Sequence, residues 1–153
     1  LYIENVIHQL RFSVESVLHM VNRLDHNDMN FRLLEEKKSI GELVQHLCEL
    51  IEADLLISKG TLKEEMNQYY QSVNCRSIDE MKKLLTSGLK SLESEYSILT
   101  EEELAKKVSS YWGVEYTRFE WLLEILVHFT HHRAQLHMLI SMKYRDLNVM
   151  LFE

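Results

Sequence analysis

The stretch Trp121-Leu-Leu-Glu-Ile-Leu-Val-His128-Phe-Thr-His131-His132-Arg133-Ala-Gln135-Leu-His137-Met-Leu-Ile140 decides the fold. It contains no glycine or proline, and its apolar residues recur at helical spacing. At about 100° per residue, His128 and His132 fall one above the other on one face. That face continues through Ile125, Leu136 and Leu139, which predicts that it points into a core. Imidazoles at i and i+4 are the helical way to offer two nitrogens to one metal ion. Burying two such rings beside leucines is costly unless something binds their nitrogens.

Three more amphipathic segments lie upstream. The first runs from about Tyr2 to Leu24, with Ile3, Val6, Leu10, Val14, Val17, Leu18 and Val21 at helical spacing. A polar loop, Asp25-His-Asn-Asp-Met-Asn30, follows it. Ser39-Ile-Gly-Glu42 is a capping box that opens the second, which should end near Gly60. Ser77-Ile-Asp-Glu80 opens the third, running to about Leu99. Thr117-Arg-Phe-Glu120 supplies a similar start for the fourth, which reaches about Met142. Residues 61–76 and 100–116 read as long connections with short helical turns. No segment alternates convincingly as a strand. Four helices of about 20 residues, each with one apolar stripe, predict an all-α four-helix bundle with its metal site in the core. The two long connections argue against a simple up-down series of hairpins.

The composition agrees. At 153 residues the chain suits one domain spanning 1–153, with a full core. Its 46% hydrophobic and 27% charged residues exclude a disordered chain. Zero prolines and only four glycines leave room for long helices. A formal charge of −7, with basic residues scattered, argues against nucleic acid as a partner. The apolar runs are too short to span a membrane. Cys48 and Cys75 form no Cys-x-x-Cys motif and read as reduced thiols, although one bridge stays open. We expect a cytoplasmic protein. No signal peptide is visible, and the chain begins at Leu1 rather than Met, which leaves residues ahead of it open.

Two histidines on one helix do not complete a metal site. His46, in Glu42-Leu-Val-Gln-His46-Leu-Cys-Glu-Leu50, lies near Leu43 and Leu50 on the apolar stripe of the second helix and is the best third ligand. Taken alone, a histidine there is more often a satisfied boundary residue. Three histidines would leave coordination positions open to water or substrate, as catalytic sites do. The others weigh less. His131 lies about 60° round the helix from His128 and reads as interfacial. His137 is off the stripe. His8 and His19 are about 16 Å apart along one helix, too far to share an ion. His26 sits in the polar loop.

Gln135 could hydrogen-bond a metal-bound water or a ligand nitrogen, or pin a neighbouring helix. Glu124 could orient a ligand or act as a base, but an exposed carboxylate is the simpler reading. Arg133 reads as a surface or interface cation. Cys48 reads as a packed thiol, and the methionines as core fillers. Tyr111, Trp112 and Tyr116 should pack against the bundle or line a pocket mouth.

Two segments resemble the signature of the DinB/YfiT-like superfamily of metalloenzymes. Ser39-Ile-Gly-Glu-Leu-Val-Gln-His46-Leu resembles its second-helix motif. His128-Phe-Thr-His131-His132-Arg133-Ala134-Gln135 resembles its last-helix motif, His-x-x-His-His-Arg-Gly-Gln, with Ala134 in place of the glycine. The likeness covers essentially the whole chain. It implies a four-helix bundle holding a divalent metal (Zn, Ni, Fe or Mn) on His46, His128 and His132. It also implies homodimers and, in some members, thiol-dependent S-transfer or isomerisation.

The leading functional expectation is a metal-dependent enzyme, a hydrolase or a thiol-dependent transferase acting on a small molecule with a low-molecular-weight thiol. No catalytic residue is assigned. The alternative is a non-enzymatic metal-binding protein, structural or stress-associated, and a weaker one is a helical interaction module.

Overall fold

The computed structural model describes residues 1–144 and 147–153. Four long helices dominate: α1 (Tyr2–Val21), α2 (Ile40–Ile57), α4 (Ile78–Tyr96) and α6 (Arg118–Tyr144). Two short ones, α3 (Lys63–Ser72) and α5 (Glu101–Ala105), lie in the connections. The all-α bundle expected from the apolar stripes is what the chain forms.

The capping residues set the starts. The Ser39 hydroxyl accepts from the Glu42 amide at 3.2 Å, and the Glu42 carboxylate accepts from the Ser39 amide at 2.7 Å. At α4 only half of the expected box forms. Ser77 accepts from the Glu80 amide, but the Glu80 carboxylate accepts from the Arg76 amide instead. At α6 the Thr117 hydroxyl accepts from the Glu120 amide. α2 stops at Ile57, three residues before Gly60, whose φ of +85° makes the left-handed turn that a glycine adopts without strain.

Helix α2 packs on α4 and α6, and α1 packs on the same two, so α1 and α2 stand diagonally across the bundle. The contacts give the directions. Gly88 lies against Glu52 and Lys59 pairs with Glu95, so α2 and α4 run parallel. Ser16 meets Arg133, and the turn after α1 meets Lys143, so α1 and α6 also run parallel. Two consecutive parallel helices need a long return, and α3 occupies it. This bears out the reading against simple hairpins. Gly88 allows the close approach: a Cβ there would stand 3.4 Å from both the Cβ and the amide nitrogen of Glu52.

One connection departs from expectation. Residues Lys107–Ser109 (β1) and Glu115–Thr117 (β2) pair antiparallel, with Val108 opposite Tyr116. Gly113 takes the positive φ of the turn. Three-residue strands are too short to show alternation in sequence. The hairpin is anchored by the Trp121 indole, which donates to the Val108 carbonyl at 2.9 Å. Ala53, Ile57, Met66 and Trp121 form a small second cluster beneath it.

The main core is built from Leu10, Val17, Leu47, Ile51, Leu85, Leu92, Leu122, Ile125, Phe129 and Leu136 among others. Arg133, expected as a surface or interface cation, lies at the interface with α1 and is only 5% exposed. It follows Phe129 by one turn on the buried stripe. Its guanidinium donates to the Ser16 hydroxyl at 3.2 Å and lies 5.3 Å from the Phe152 ring centroid. The methionines are not uniformly core: Met20 and Met66 are buried, whereas Met138, Met142 and Met150 are exposed. Both cysteines are free thiols, Cys48 fully buried and Cys75 half-buried. Among the described residues, no helix is long and apolar enough to cross a membrane.

Candidate metal centre

Antiparallel packing of α2 against α6 brings His46 beside His128 and His132. One ring nitrogen from each lies within 4.8 Å of the others, a spacing that could hold a metal ion. The His46 ring centroid is 4.4 Å from that of His132 and 5.6 Å from that of His128. The Nε2 atoms of His128 and His132 are 3.1 Å apart.

The partners on the far side of each ring favour a proton on Nδ1. His128 Nδ1 lies 2.7 Å from the Asp54 carboxylate, which can only accept when ionised. His132 Nδ1 lies 2.8 Å from the amide oxygen of Gln135, likewise an acceptor. Both contacts favour Nδ1–H on their rings and leave the two Nε2 atoms facing each other. Two lone pairs at that separation repel unless a proton or cation lies between them. The donor set fits a divalent cation of the imidazole-preferring kind. His46 Nδ1 stands 3.8 Å from the Glu49 carboxylate, an ion-pair distance too long for a hydrogen bond. Gln45 holds Glu49 in place by donating to it at 3.0 Å.

The electrostatics separate the two α6 rings. The Asp54 hydrogen bond raises the His128 pKa against the opposing effect of burial. Burial lowers that of His132, assisted by the neighbouring imidazoles and opposed by Gln135.

The histidines do not point into the core. All three are intermediate in burial, whereas Ile125, Leu136 and Leu139 on the same stripe are buried. α6 presents Leu122, Phe129 and Leu136 to the bundle centre, which leaves His128 and His132 on the edge facing α2. There, imidazoles keep access to solvent and lose less hydration.

Gln135 does bond a ligand-side nitrogen, and its amide nitrogen is 3.2 Å from His131 Nε2. His131 is thus exposed but coupled to the orienting amide. Glu124 is exposed and bonds no ring; its charge adds slightly to the raised His128 pKa. The orienting carboxylate is Asp54, which the sequence reading missed. It lies eight residues, about two turns, after His46, and that spacing was the available signal. Tyr70 was also missed. Burial, then the Asp54, Tyr111 and Glu49 charges, push its phenol up to about 12. Tyr111 and Trp112 are exposed at 41% and 53%, with Trp112 edge-on to Tyr111 and to Trp121. His8, His19 and His26 are exposed and outside the cluster, and His137 is likewise outside it, with the Ser141 hydroxyl donating to its backbone carbonyl.

A family model described as the DinB superfamily matches residues 9–136. No curated protein matches. Among solved structures, one assigned to the DinB family from Exiguobacterium sibiricum 255-15 superimposes with a TM-score of 0.87 at 25% identity, covering 99% of this chain and 97% of that one. A DinB-like protein of Bacillus subtilis gives 0.71 at 16% identity, covering 95% of each chain. A mycothiol-dependent maleylpyruvate isomerase gives 0.60 at 15% identity, over 88% of this chain and 60% of that one.

Proposed function

The chain belongs to the DinB superfamily, and from that premise we propose that it is a metal-dependent enzyme whose ligands are His46, His128 and His132. The observation that carries this reading is the 3.1 Å approach of two Nε2 atoms whose opposite nitrogens are already committed to acceptors. A divalent cation bound there supplies Lewis acidity toward a water or a thiol in an open position. Around it, Asp54 and Gln135 hold the rings in one tautomer and orientation.

Of the two chemistries, thiol-dependent transfer is favoured over hydrolysis. A fold relative is a mycothiol-dependent isomerase, and that likeness is what supports a thiol co-substrate. We take residues 1–153 as one domain acting in the cytoplasm.

The deciding experiment is elemental analysis of untagged protein beside His46→Ala, His132→Ala and His137→Ala. One divalent ion per chain, lost in the first two variants and kept in the third, is the expected result. It would be followed by thiol-transfer assays on the loaded protein. No metal after reconstitution with Zn, Ni, Fe(II) and Mn overturns the reading. Full stoichiometry in His46→Ala removes His46 from the ligand set.

A further inference from the structure

The loop between α1 and α2 stands over the metal centre and separates two clefts of opposite character. On the His46 side, a cleft of about 430 Å³ is lined by charged and polar residues, Arg32, Glu35, Glu42, Gln45, Glu49 and His46, and shares Glu36, Lys37 and Lys38 with its neighbour. On the His132 side lies a larger one, about 840 Å³. Its floor and walls are Leu33, Leu34, Leu43, Ala134, Met138 and Leu139, and His132 and Gln135 close one end. Lys37 and Lys38 stand at the rim with the single acid Glu36.

Two features mark the larger cleft as a built site. Leu33 and Leu34, adjacent in sequence, are each 54% exposed, and Met138 opposite is 57% exposed. Leaving three large apolar side chains in water around one cavity costs burial that the fold could otherwise use. The wall that carries the leucines is also braced. The Arg32 guanidinium donates to the carbonyls of Lys37 at 2.9 Å and Glu35 at 3.3 Å, and pairs with Glu42 at 3.4 Å. A loop tied back in this way holds its leucines in position before anything binds. The volume lies in the range of small-molecule pockets. Its two lysines, on the segment it shares with the smaller cleft, outnumber its single acid in a chain whose formal charge is −7.

We propose that the His132-side cleft binds an amphipathic organic monoanion, its apolar body against Leu34, Leu43 and Met138 and its acidic group at Lys37 and Lys38. For its chemistry this rests on the metal-dependent reading: the cleft delivers the apolar substrate to the His132 edge, and the polar co-substrate comes from the His46 side. Its binding does not require the metal.

The test is methyl-resolved NMR of the full chain titrated with octanoate. Saturable shifts at Leu34, Leu43 and Met138 are expected. Met138→Asp, at an exposed position, should raise Kd about tenfold or more without altering metal content or helicity. Lys37→Glu with Lys38→Glu should weaken octanoate and leave octanol unchanged. His46→Ala should keep octanoate binding, so a protein that binds octanoate but no metal loses the enzymatic reading and keeps the cleft. Shifts confined to a second cavity, lined by Ile3, Ile7, Leu99 and Leu104, or none that saturate, overturn the proposal. So does a dimer that buries Leu34 and Met138 against a second copy and excludes octanoate.

Discussion

The carboxylate of Asp54 on α2 lies 2.7 Å from Nδ1 of His128 on α6. This bond ties the two helices that carry the metal centre and aims the His128 Nε2 lone pair at His132. Asp54→Asn keeps the shape but removes the charge that favours Nδ1–H and strengthens the ring as a donor. Metal affinity should fall about 10- to 100-fold, with helicity unchanged. Competitive chelator titration measures it, and an affinity equal to wild type would show that Asp54 serves packing alone.

Removing the metal should leave the bundle folded. The apolar core contains none of the three histidines, so its cohesion does not depend on them. Chelator should leave the far-ultraviolet circular dichroism spectrum intact. Stability should drop only by linkage, about 3 kcal/mol where free metal stood a hundredfold above Kd. Collapse of helicity on chelation would instead make the metal structural.

Asp28 predicts an acid transition. Burial alone would raise its pKa, but hydrogen bonds from Lys143, Tyr144 and the Asp25 amide outweigh burial and hold it below the ordinary 3.8. A depressed folded pKa means the contribution is complete above that ordinary value and disappears as pH falls through the lower folded one. Asp28→Asn should be less stable at neutral pH and lose less stability below about pH 4. Urea midpoints across pH check both, and parallel curves for the two proteins would contradict the assignment.

The two faces of α6 can be tested against each other. Leu122 is fully buried and Val127 is 62% exposed. Leu122→Ala should cost about 2–5 kcal/mol, and Val127→Ala less than about 0.5 kcal/mol. Similar losses at both would mean that the exposed face is covered in solution.

What could be read in the chain follows from the range of each signal. The Ser39 and Thr117 caps and the apolar stripes act over one to five turns, so they appear in sequence. The triad was legible because the i, i+4 pair is local and His46 shares a stripe with Leu43 and Leu50. Arg133 was left between surface and interface because a charged residue reads as exposed, although its position one turn after Phe129 put it on the buried stripe. Asp54 was invisible as a partner because its role depends on how α2 and α6 align. The hairpin was missed because its strands are stabilised by Trp121, not by their own pattern.

The two halves of the candidate centre lie far apart along the chain, on α2 and on the last helix, α6. Asp54 and His128 are separated by 74 residues, so the halves of the centre meet only when a large loop closes, an entropic cost met by docking the whole of α6. Until then the nascent chain offers only the isolated pair on α6 and a lone imidazole on α2. An ion held by all three histidines would therefore be captured only after α6 has docked on α2.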